Sequence, residues 1–516
     1  MKRISTVILS FAALMMLMLA SCSKQQGAAN LVPDDAVFVM RMDVLQGMEK
    51  SGLKGDKSEM KKWIEEQVKE AGLDKELTDK ILQIVDDPTK SGIDFTEPVF
   101  IYASTDFGKK VDAGFVAAMA SESDLTNLFK TLEEDVDFPG VEKKDGVNYL
   151  ELGTDAAIIY CDDWFYGGPA KDVDEQIATL KERAGGKGSL GGNKAFNAMC
   201  SKNGVAQMLF LGSGFENIKD REMKMMKLMM EKMFPEGVEL KDMAGLLDFQ
   251  LNKGETVLTS EYLMLSSKAQ DYLDESLKAL KPITKEQVKY ISDRALSLFV
   301  NMDVSKVLEQ IDKMKDLYDL DDESMNLVKK VFETLDGSLA LDVYGIGDNM
   351  PLLTAYVGTK DNTALSMVKQ AGDDDLKAVA DDEYLVPTDF DYEWDEDDNF
   401  VRTPKAWGVL GYKDGLTYFS SEAENAFQAP ATEYPFGNVK GCGFFARFNF
   451  SIFKDYLKNV EDDDEARQLL QAVDDIFDYA EAYAEKDGKA IFRVVTKDKD
   501  KTIIETISDY VQKYLH

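Results

Sequence analysis

One pattern recurs along the chain and constrains its fold more than any other feature. An apolar run ends in a polar residue and leads into a segment with helical spacing. The copies cover residues 36–44, 205–215, 296–304 and 441–450. Two of them end in Met-Asp-Val, with Asp43 and Asp303 at the strand end, and another ends in Asn449. Because such side chains accept hydrogen bonds from the first backbone N–H groups of a helix, we interpret these three residues as helix N-caps rather than catalytic groups.

Each copy is followed by two strand-like runs and a further helical segment, so the unit β-α-β-β-α recurs about four times. In the last copy, the two strands are expected at 490–496 and 502–507. Hairpins whose helices return to one face are typical of antiparallel sheets covered by helices. The predicted fold class is therefore α+β.

A hairpin motif between the copies predicts that the chain is duplicated. The spacing Tyr-x-Asp-x-x-x-Tyr occurs at residues 160–166 and again at 412–418. Together with the repeated Met-Asp-Val, it predicts two duplicated halves that cover residues 33–285 and 286–516. Each half is expected to hold an antiparallel sheet covered by helices.

The N-terminal residues have the organisation of a bacterial lipoprotein signal. Lys2 and Arg3 precede a short apolar segment, residues 7–20, that ends in Leu-Ala-Ser-Cys at Cys22. The segment is too short for a spanning helix and resembles a cleaved signal with a lipobox. We expect a signal peptide over 1–21, lipidation of Cys22 and a flexible tether over 22–32; an ordinary secretory signal with a chance cysteine is the alternative.

Composition excludes several classes of function. The net charge of −35 disfavours nucleic acid or an anionic membrane face as a partner, since phosphate binding needs a basic surface. The single histidine is His516, which argues against most zinc enzymes and histidine-dependent nucleophilic catalysis. Beyond Cys22, the remaining three cysteines, Cys161, Cys200 and Cys442, match no zinc spacing. Cys161 and Cys442 lie in apolar, strand-like segments, and we interpret these two as small buried apolar residues.

Two short segments resemble a known family. They are Asp-Pro-Thr-Lys-Ser-Gly-Ile-Asp at 87–94, followed by a strand at 98–102, and Val-Pro-Asp-Asp-Ala at 32–36. Both are similar to an uncharacterised family of Bacteroidetes lipoproteins known as a domain of unknown function. The resemblance implies a cell-envelope protein and brings no catalytic residues. In such lipoproteins an acidic cluster after the lipidated cysteine marks surface export, so its absence after Cys22 favours the periplasmic side of the outer membrane.

The densest acidic stretch covers residues 373–399. Calcium takes six to eight oxygen ligands, and Asp395, Asp397 and Asn399 could supply several of them. The glycine and terminal glutamate of an EF-hand loop are not in register. We therefore expect an exposed, solvated loop and keep calcium binding as the less favoured interpretation.

A methionine-rich segment before Pro235 has helical spacing. Its members form a stripe at i, i+3, i+4 and i+7, namely Met226, Met229, Met230 and Met233. Core packing is the favoured interpretation of such a stripe, a pliable partner-binding surface is the second, and Cu(I) binding through thioethers is the least favoured.

The sequence predicts no reaction. We favour a non-enzymatic, lipid-anchored envelope protein that binds or scaffolds another envelope protein or glycan, with no cofactor other than the lipid on Cys22. The alternatives are a glycan-directed hydrolase that uses paired carboxylates and a calcium-dependent binding module.

Overall fold

The computed structural model describes most of the chain after residue 26. The described residues are 27–52, 66, 68–69, 75–105, 111–136, 139–232, 234–291, 294–309, 311, 322–347, 351–371, 376–394, 400–422, 426–427, 436–457 and 464–515. They divide into two compact units. Unit 1 comprises residues 1–270 together with 498–516, and unit 2 comprises 271–497. The predicted boundary at 285/286 between the halves stays a prediction.

The described residues of unit 1 form ten strands. They are β1 Phe38–Met42, β2 Val99–Thr105, β3 Val111–Ala118, β4 Glu142–Lys144, β5 Val147–Glu151, β6 Ala156–Tyr160, β7 Trp164–Pro169, β8 Ala206–Leu211, β9 Met243–Asn252 and β10 Glu255–Met264. Every pairing among them is antiparallel, and the order across the sheet is β4-β5-β6-β7-β3-β2-β1-β8-β9-β10. The interior strand β1 pairs with β2 on one side and with β8 on the other.

Unit 2 repeats this arrangement. Its strands are β11 Leu296–Asn301, β12 Leu335–Ile346, β13 Pro351–Thr359, β14 Lys377–Ala380, β15 Glu383–Trp394, β16 Phe400–Lys413, β17 Leu416–Ser420, β18 Phe444–Asn449, β19 Phe477–Ala484 and β20 Ala490–Thr496. They pair in the antiparallel order β14-β15-β16-β17-β13-β12-β11-β18-β19-β20. Each strand of unit 2 therefore has the same neighbours as the strand ten places earlier in unit 1.

Helices connect and cover the strands, which gives the α+β class predicted from the sequence. The helices are α1 Val44–Lys50, α2 Lys75–Asp86, α3 Glu122–Val136, α4 Val173–Ala184, α5 Lys194–Cys200, α6 Arg221–Lys232, α7 Ser267–Leu277, α8 Lys285–Val288, α9 Asp322–Thr334, α10 Thr363–Ala371, α11 Ile452–Leu457, α12 Asp464–Ile476 and α13 Ile503–Leu515. Residues 304–309 are also helical. Among the described residues, no helix is long and apolar enough to cross a membrane.

The sheet of unit 1 has an apolar core on each face. Successive side chains of a strand point to opposite faces, so Val39 packs in one core while Met40 and Met42 contact the other. The first core also receives Phe196 of α5, and the second receives Phe129 of α3. Both faces of this sheet are therefore covered.

The helix caps predicted from the strand ends are confirmed at two positions. Asp43 accepts a hydrogen bond from the Gln46 amide at 3.1 Å and precedes α1. Asp303 accepts from the amides of Ser305 and Lys306 at the start of the helical residues 304–309. The N-cap interpretation of Asn449 is wrong, because α11 begins only at residue 452 and the side-chain oxygen of Asn449 accepts from Arg447 at 3.2 Å.

The last predicted hairpin is wrong. Residues 490–496 form β20, but its partner is β19 at 477–484 rather than 502–507. Residues 502–507 begin α13 instead, because Thr502 and Glu505 form a reciprocal cap in which each side chain accepts from the other's amide.

Two further expectations are corrected. The acidic stretch 373–399 is not one loop. Most of its described residues belong to two strands, β14 and β15. The tether predicted over 22–32 does not extend to its last residues. Residues 28–31 form a 3-10 helix, and Leu31 and Val32 are fully buried in the first core of unit 1.

Candidate functional site

Several residues selected from the sequence lie outside the described part of the chain. Cys22, Met233 and the calcium candidates Asp395, Asp397 and Asn399 belong to this set. Met230 lies on the backbone of α6, but its side chain is not described. Within the described residues, no cluster of three His, Cys, Asp or Glu side chains is arranged to hold a metal ion.

The methionine stripe falls on α6, a helix that the local sequence delimits clearly. Asp220 caps its start, because the Asp220 carboxylate accepts from the Met223 amide at 3.0 Å. Beyond its end, Pro235 cannot continue a helix, and Gly237 adopts a left-handed conformation with φ of 83°. The segment between them is therefore one isolated helix of three turns.

One side of α6 carries exposed apolar side chains in the middle of the helix, with the charged and exposed Arg221, Glu222 and Lys232 on the same side at its ends. The exposed fractions are 57% for Met225, 45% for Met226, 55% for Leu228 and 46% for Met229. At 3.6 residues per turn these side chains fall within an arc of about 160°. Core packing, the interpretation favoured from the sequence, is therefore wrong for Met226 and Met229, and the exposed face includes Met225 and Leu228 as well. We call these four residues the methionine face.

The opposite side of α6 carries an ion pair within the helix, and the turn that it contacts carries two more. Lys227 is half-buried and pairs with Glu231 at 3.6 Å. The neighbouring 3-10 turn carries Lys241, which pairs with Glu239 at 2.6 Å and with Glu216 at 3.4 Å. The hydrogen bond and charge of Lys241 hold the pKa of the Glu239 carboxyl below its ordinary value. The acidic groups around the base of the helix are thus already paired with lysines.

A pair of aromatic side chains lies at the end of the sheet where β8 ends and the chain continues to α6. Phe38 begins β1 and lies opposite Phe210 near the end of β8, with ring centroids 5.2 Å apart. Phe210 is 47% exposed. The 3-10 turn at 212–217 leads from β8 towards α6, and the Leu211 amide donates to the Val37 carbonyl at 2.9 Å.

Sequence reasoning missed a buried polar network on the same strands. Arg41 of β1 donates to the side-chain oxygen of Gln207 on β8. The Gln207 amide in turn donates to Asp248 of β9 at 2.8 Å and to the Gly204 carbonyl at 2.9 Å. All three side chains are buried, so the amide links an arginine and an aspartate across three adjacent strands. The sequence held one indication of this network, since Arg41 is a charged residue inside an otherwise apolar strand.

Unit 2 has a different charged network. The buried carboxylate of Glu481 accepts from Arg447 at 2.9 Å, from Arg493 and from Asn438 at 3.0 Å. The Arg447 guanidinium also lies 3.6 Å from the ring centroid of Tyr479. Each arginine is only partly exposed, so the ion pairs are screened little by water. The arrangement joins β18, β19 and β20 and has the character of a structural network.

The cysteines have no arrangement for nucleophilic chemistry among the described residues. Cys200 and Cys442 are buried and Cys161 is partly buried, and none of the three forms a disulfide. Burial raises the pKa of Cys200 to about 11, although the nearby Arg41 opposes that shift. Burial also raises the pKa of Cys161 and Cys442. A thiol that stays protonated is a poor nucleophile, which agrees with the interpretation of Cys161 and Cys442 as small apolar side chains.

Comparison with known proteins identifies a family without a described activity. The sequence model of a family described as "Domain of unknown function (DUF4836)" matches residues 28–393, more than two thirds of the chain. No curated protein and no solved structure gave a significant match. The matched range begins at Ala28, where the described fold also begins.

Proposed function

The chain belongs to the DUF4836 family, whose description names no activity, and we propose that it is a lipid-anchored, non-enzymatic binding protein of the bacterial cell envelope. The observation that supports this most directly is the methionine face of α6. Four large apolar side chains on one short helix are each about half exposed or more. A contiguous exposed apolar surface of this kind is typical of an interaction site.

The proposed cellular location rests on the N-terminal sequence. Signal peptide 1–21 would be removed and Cys22 would carry the lipid, as in the Bacteroidetes lipoproteins that the chain resembles. We propose the periplasmic side of the outer membrane because no acidic cluster follows Cys22. The fold starts at Ala28, so the proposed tether is short.

We also infer that the two halves, 33–285 and 286–516, arose by duplication. The identical order of strands supports this inference, and so does the hairpin motif. Tyr160 pairs with Phe165 across the β6–β7 turn, and Tyr412 pairs with Thr417 at the same offset across the β16–β17 turn. A repeated scaffold leaves each copy free to acquire its own surface.

A site-specific crosslink tests the binding function. A photoreactive amino acid replaces Met229 in the full chain, produced in cells whose envelope is intact, and a second version carries it at Leu469 of α12, which is 65% exposed. We expect an adduct with an envelope protein, glycan or lipid at position 229 and none at position 469. Equal adducts at both positions, or none at position 229, would contradict the proposal.

A further inference from the structure

The exposed side of α6 has a regular pattern of apolar and charged residues. Two methionines and two oppositely charged residues follow one another at intervals of three, four and three residues, and all are exposed: Glu222, Met225, Met229 and Lys232. This spacing is that of the a and d positions of a coiled-coil heptad. The other two residues of the methionine face flank this line. We call the four residues the seam of α6.

The opposite side of α6 is less exposed than the seam. Met223, Lys227 and Glu231 are half-buried and recur every four residues along that side. Among the described elements, the turn 240–242 makes the main contact with the helix. The seam therefore points away from the part of the helix that is packed, and it is exposed over the length of α6, which is about 18 Å.

The charges at the two ends of the seam match those of a second, antiparallel α6. In an antiparallel pair of helices, an a position of one copy packs beside a d position of the other. Met225 then meets Met229 of the second copy, and Glu222 meets Lys232 of the second copy at both ends. In a parallel pair, acid would face acid and base would face base, which is destabilising. The charge pattern therefore favours the antiparallel arrangement.

We propose that α6 pairs with α6 of a second copy of this chain, antiparallel, through the seam. The inference rests on the proposed function, since it names the partner of the methionine face. Unbranched methionine side chains adapt to one another across such a contact. The antiparallel arrangement also places the N-terminal end of each helix beside the C-terminal end of the other, where their partial charges are opposite.

The contact between two such helices is small. Stable protein interfaces bury about 1,200–2,000 Å² in total, and two helices of three turns bury less than that. We therefore expect a weak dimer in dilute solution. Copies tethered to one membrane through Cys22 would meet at a high effective concentration, which favours the pairing. Release by detergent and dilution would separate them.

Sedimentation equilibrium tests the pairing without the lipid anchor. The chain 22–516 with Cys22→Ser keeps every described residue. We expect a monomer–dimer equilibrium that is detected at about 200 µM protein, because a small interface gives micromolar affinity or weaker. Met225→Asp together with Met229→Asp should weaken the dimer more than about a hundredfold, since four methionines per dimer lose their burial and acids replace them.

Charge reversal gives the sharper test. Glu222→Lys and Lys232→Glu should each weaken the dimer about tenfold, because like charges then face each other at both ends. An equimolar mixture of the two variants should restore the affinity of the unchanged protein, since one copy then presents two bases and the other presents two acids. Both variants are folded before they are mixed, so folding does not explain a restored affinity.

Two substitutions in α12 are matched controls and should leave association unchanged. Glu465→Lys reverses an exposed acid at the second residue of that helix, as Glu222→Lys does in α6. Leu469→Asp places an acid at an exposed apolar position. A protein that stays monomeric at about 200 µM, single reversals that leave the dimer unchanged, or a mixture with no gain in affinity would each overturn the proposal.

These outcomes separate the two proposals. We expect the crosslinked adduct from position 229 to contain two copies of the chain. A crosslink to a different protein, a glycan or a lipid, with no dimer in solution, leaves the binding function intact and removes the second copy as its partner. No crosslink of any kind from position 229 would contradict the binding function, and with it the second copy.

Discussion

The connection between β8 and β9 in unit 1 and that between β18 and β19 in unit 2 occupy the same place in the same strand order, yet they differ in chemistry. The first contains α6, with a net charge of +2 and four exposed large apolar residues. The second contains α11 and α12, and α12 has one basic residue against four acidic ones. The comparison shows that the same strand order can carry a basic surface helix in one unit and an acidic one in the other.

The two connections are also anchored differently. In unit 2 the buried Asp474 of α12 receives Lys454 of α11 and Lys497, each at 3.4 Å. In unit 1, α6 contacts the turn 240–242. The helix in unit 2 is therefore tied into its unit by a buried charge, whereas α6 keeps a broad face exposed.

The largest predicted effect concerns the interior networks. Glu481→Ala leaves Arg447 and Arg493 partly buried without their shared carboxylate, and we expect the free energy of unfolding to fall by about 3–5 kcal/mol. Asp248→Ala in unit 1 removes a carboxylate that accepts from the neutral side-chain amide of Gln207. The expected loss in the free energy of unfolding is therefore only about 1–3 kcal/mol. Denaturant unfolding of the full chain measures both. If Asp248→Ala costs as much free energy of unfolding as Glu481→Ala, or more, the two networks do not differ as described.

A smaller effect is expected at the first helix cap. Asp43→Ala removes the acceptor for the Gln46 amide and should lower the free energy of unfolding by about 1 kcal/mol. Asp43→Asn keeps a side-chain oxygen at that position and serves as the control, with most of the stability retained. Chemical denaturation of both variants gives the comparison. If alanine and asparagine behave alike, Asp43 does not act as a cap.

Acid should weaken the equivalent cap in unit 2. Hydrogen bonds from Ser305 and then Lys281 lower the pKa of Asp303 from 3.8 to about 2. A carboxyl whose pKa is lower in the folded state contributes stability that is present above pH 3.8 and lost as the pH falls towards 2. Asp303→Asn, which cannot ionise, should therefore show a shallower loss of stability across that range than the unchanged protein. Parallel pH profiles for the two proteins would contradict this assignment.

The smallest effect is expected on the surface helices. Met225→Asp with Met229→Asp on α6, and Leu469→Asp on α12, change exposed side chains and should each shift the free energy of unfolding by no more than about 0.5 kcal/mol per residue. Thermal unfolding checks this. A large loss confined to the α6 variant would mean that the methionine face packs inside the protein and is not available to a partner.

Much of the fold could be predicted from local pattern. Strand ends followed by a capping acid located α1 and the helical residues 304–309, and the alternation of apolar residues located most hairpins of unit 1. The segment 502–507 was misread because its apolar residues suit either a strand or a helix. The Thr502-x-x-Glu505 spacing was the available signal that decides for a helix.

The acidic stretch was misread for a different reason. Its charge density suggested a solvated loop, but residues 389–394 alternate strictly between acidic and aromatic, which is the two-residue period of a strand. In the structure Asp389 lies near Lys405 at 3.8 Å, and Arg402 lies over the ring of Phe390. Basic residues on the neighbouring strand β16 thus accompany the acids, a cross-strand arrangement that composition alone does not show.

The candidate site could be predicted only in part. Helical spacing placed Met226 and Met229 on one face, but the choice between core and surface depends on which side of α6 contacts the turn 240–242. Those contacts are set by the tertiary fold. The buried network of Arg41, Gln207 and Asp248 was likewise invisible, because its members are far apart in sequence and meet only through strand register.

The accessibility of α6 in the native envelope tests the central claim most directly. Met229→Cys and Leu469→Cys place one thiol on each equivalent connection, and a bulky, water-soluble maleimide is applied to envelopes and to detergent-released protein, with the native cysteines as background. We predict that position 229 is protected in envelopes and labelled after release, while position 469 is labelled in both. Equal labelling of position 229 before and after release would contradict the claim that the methionine face is covered by an envelope component.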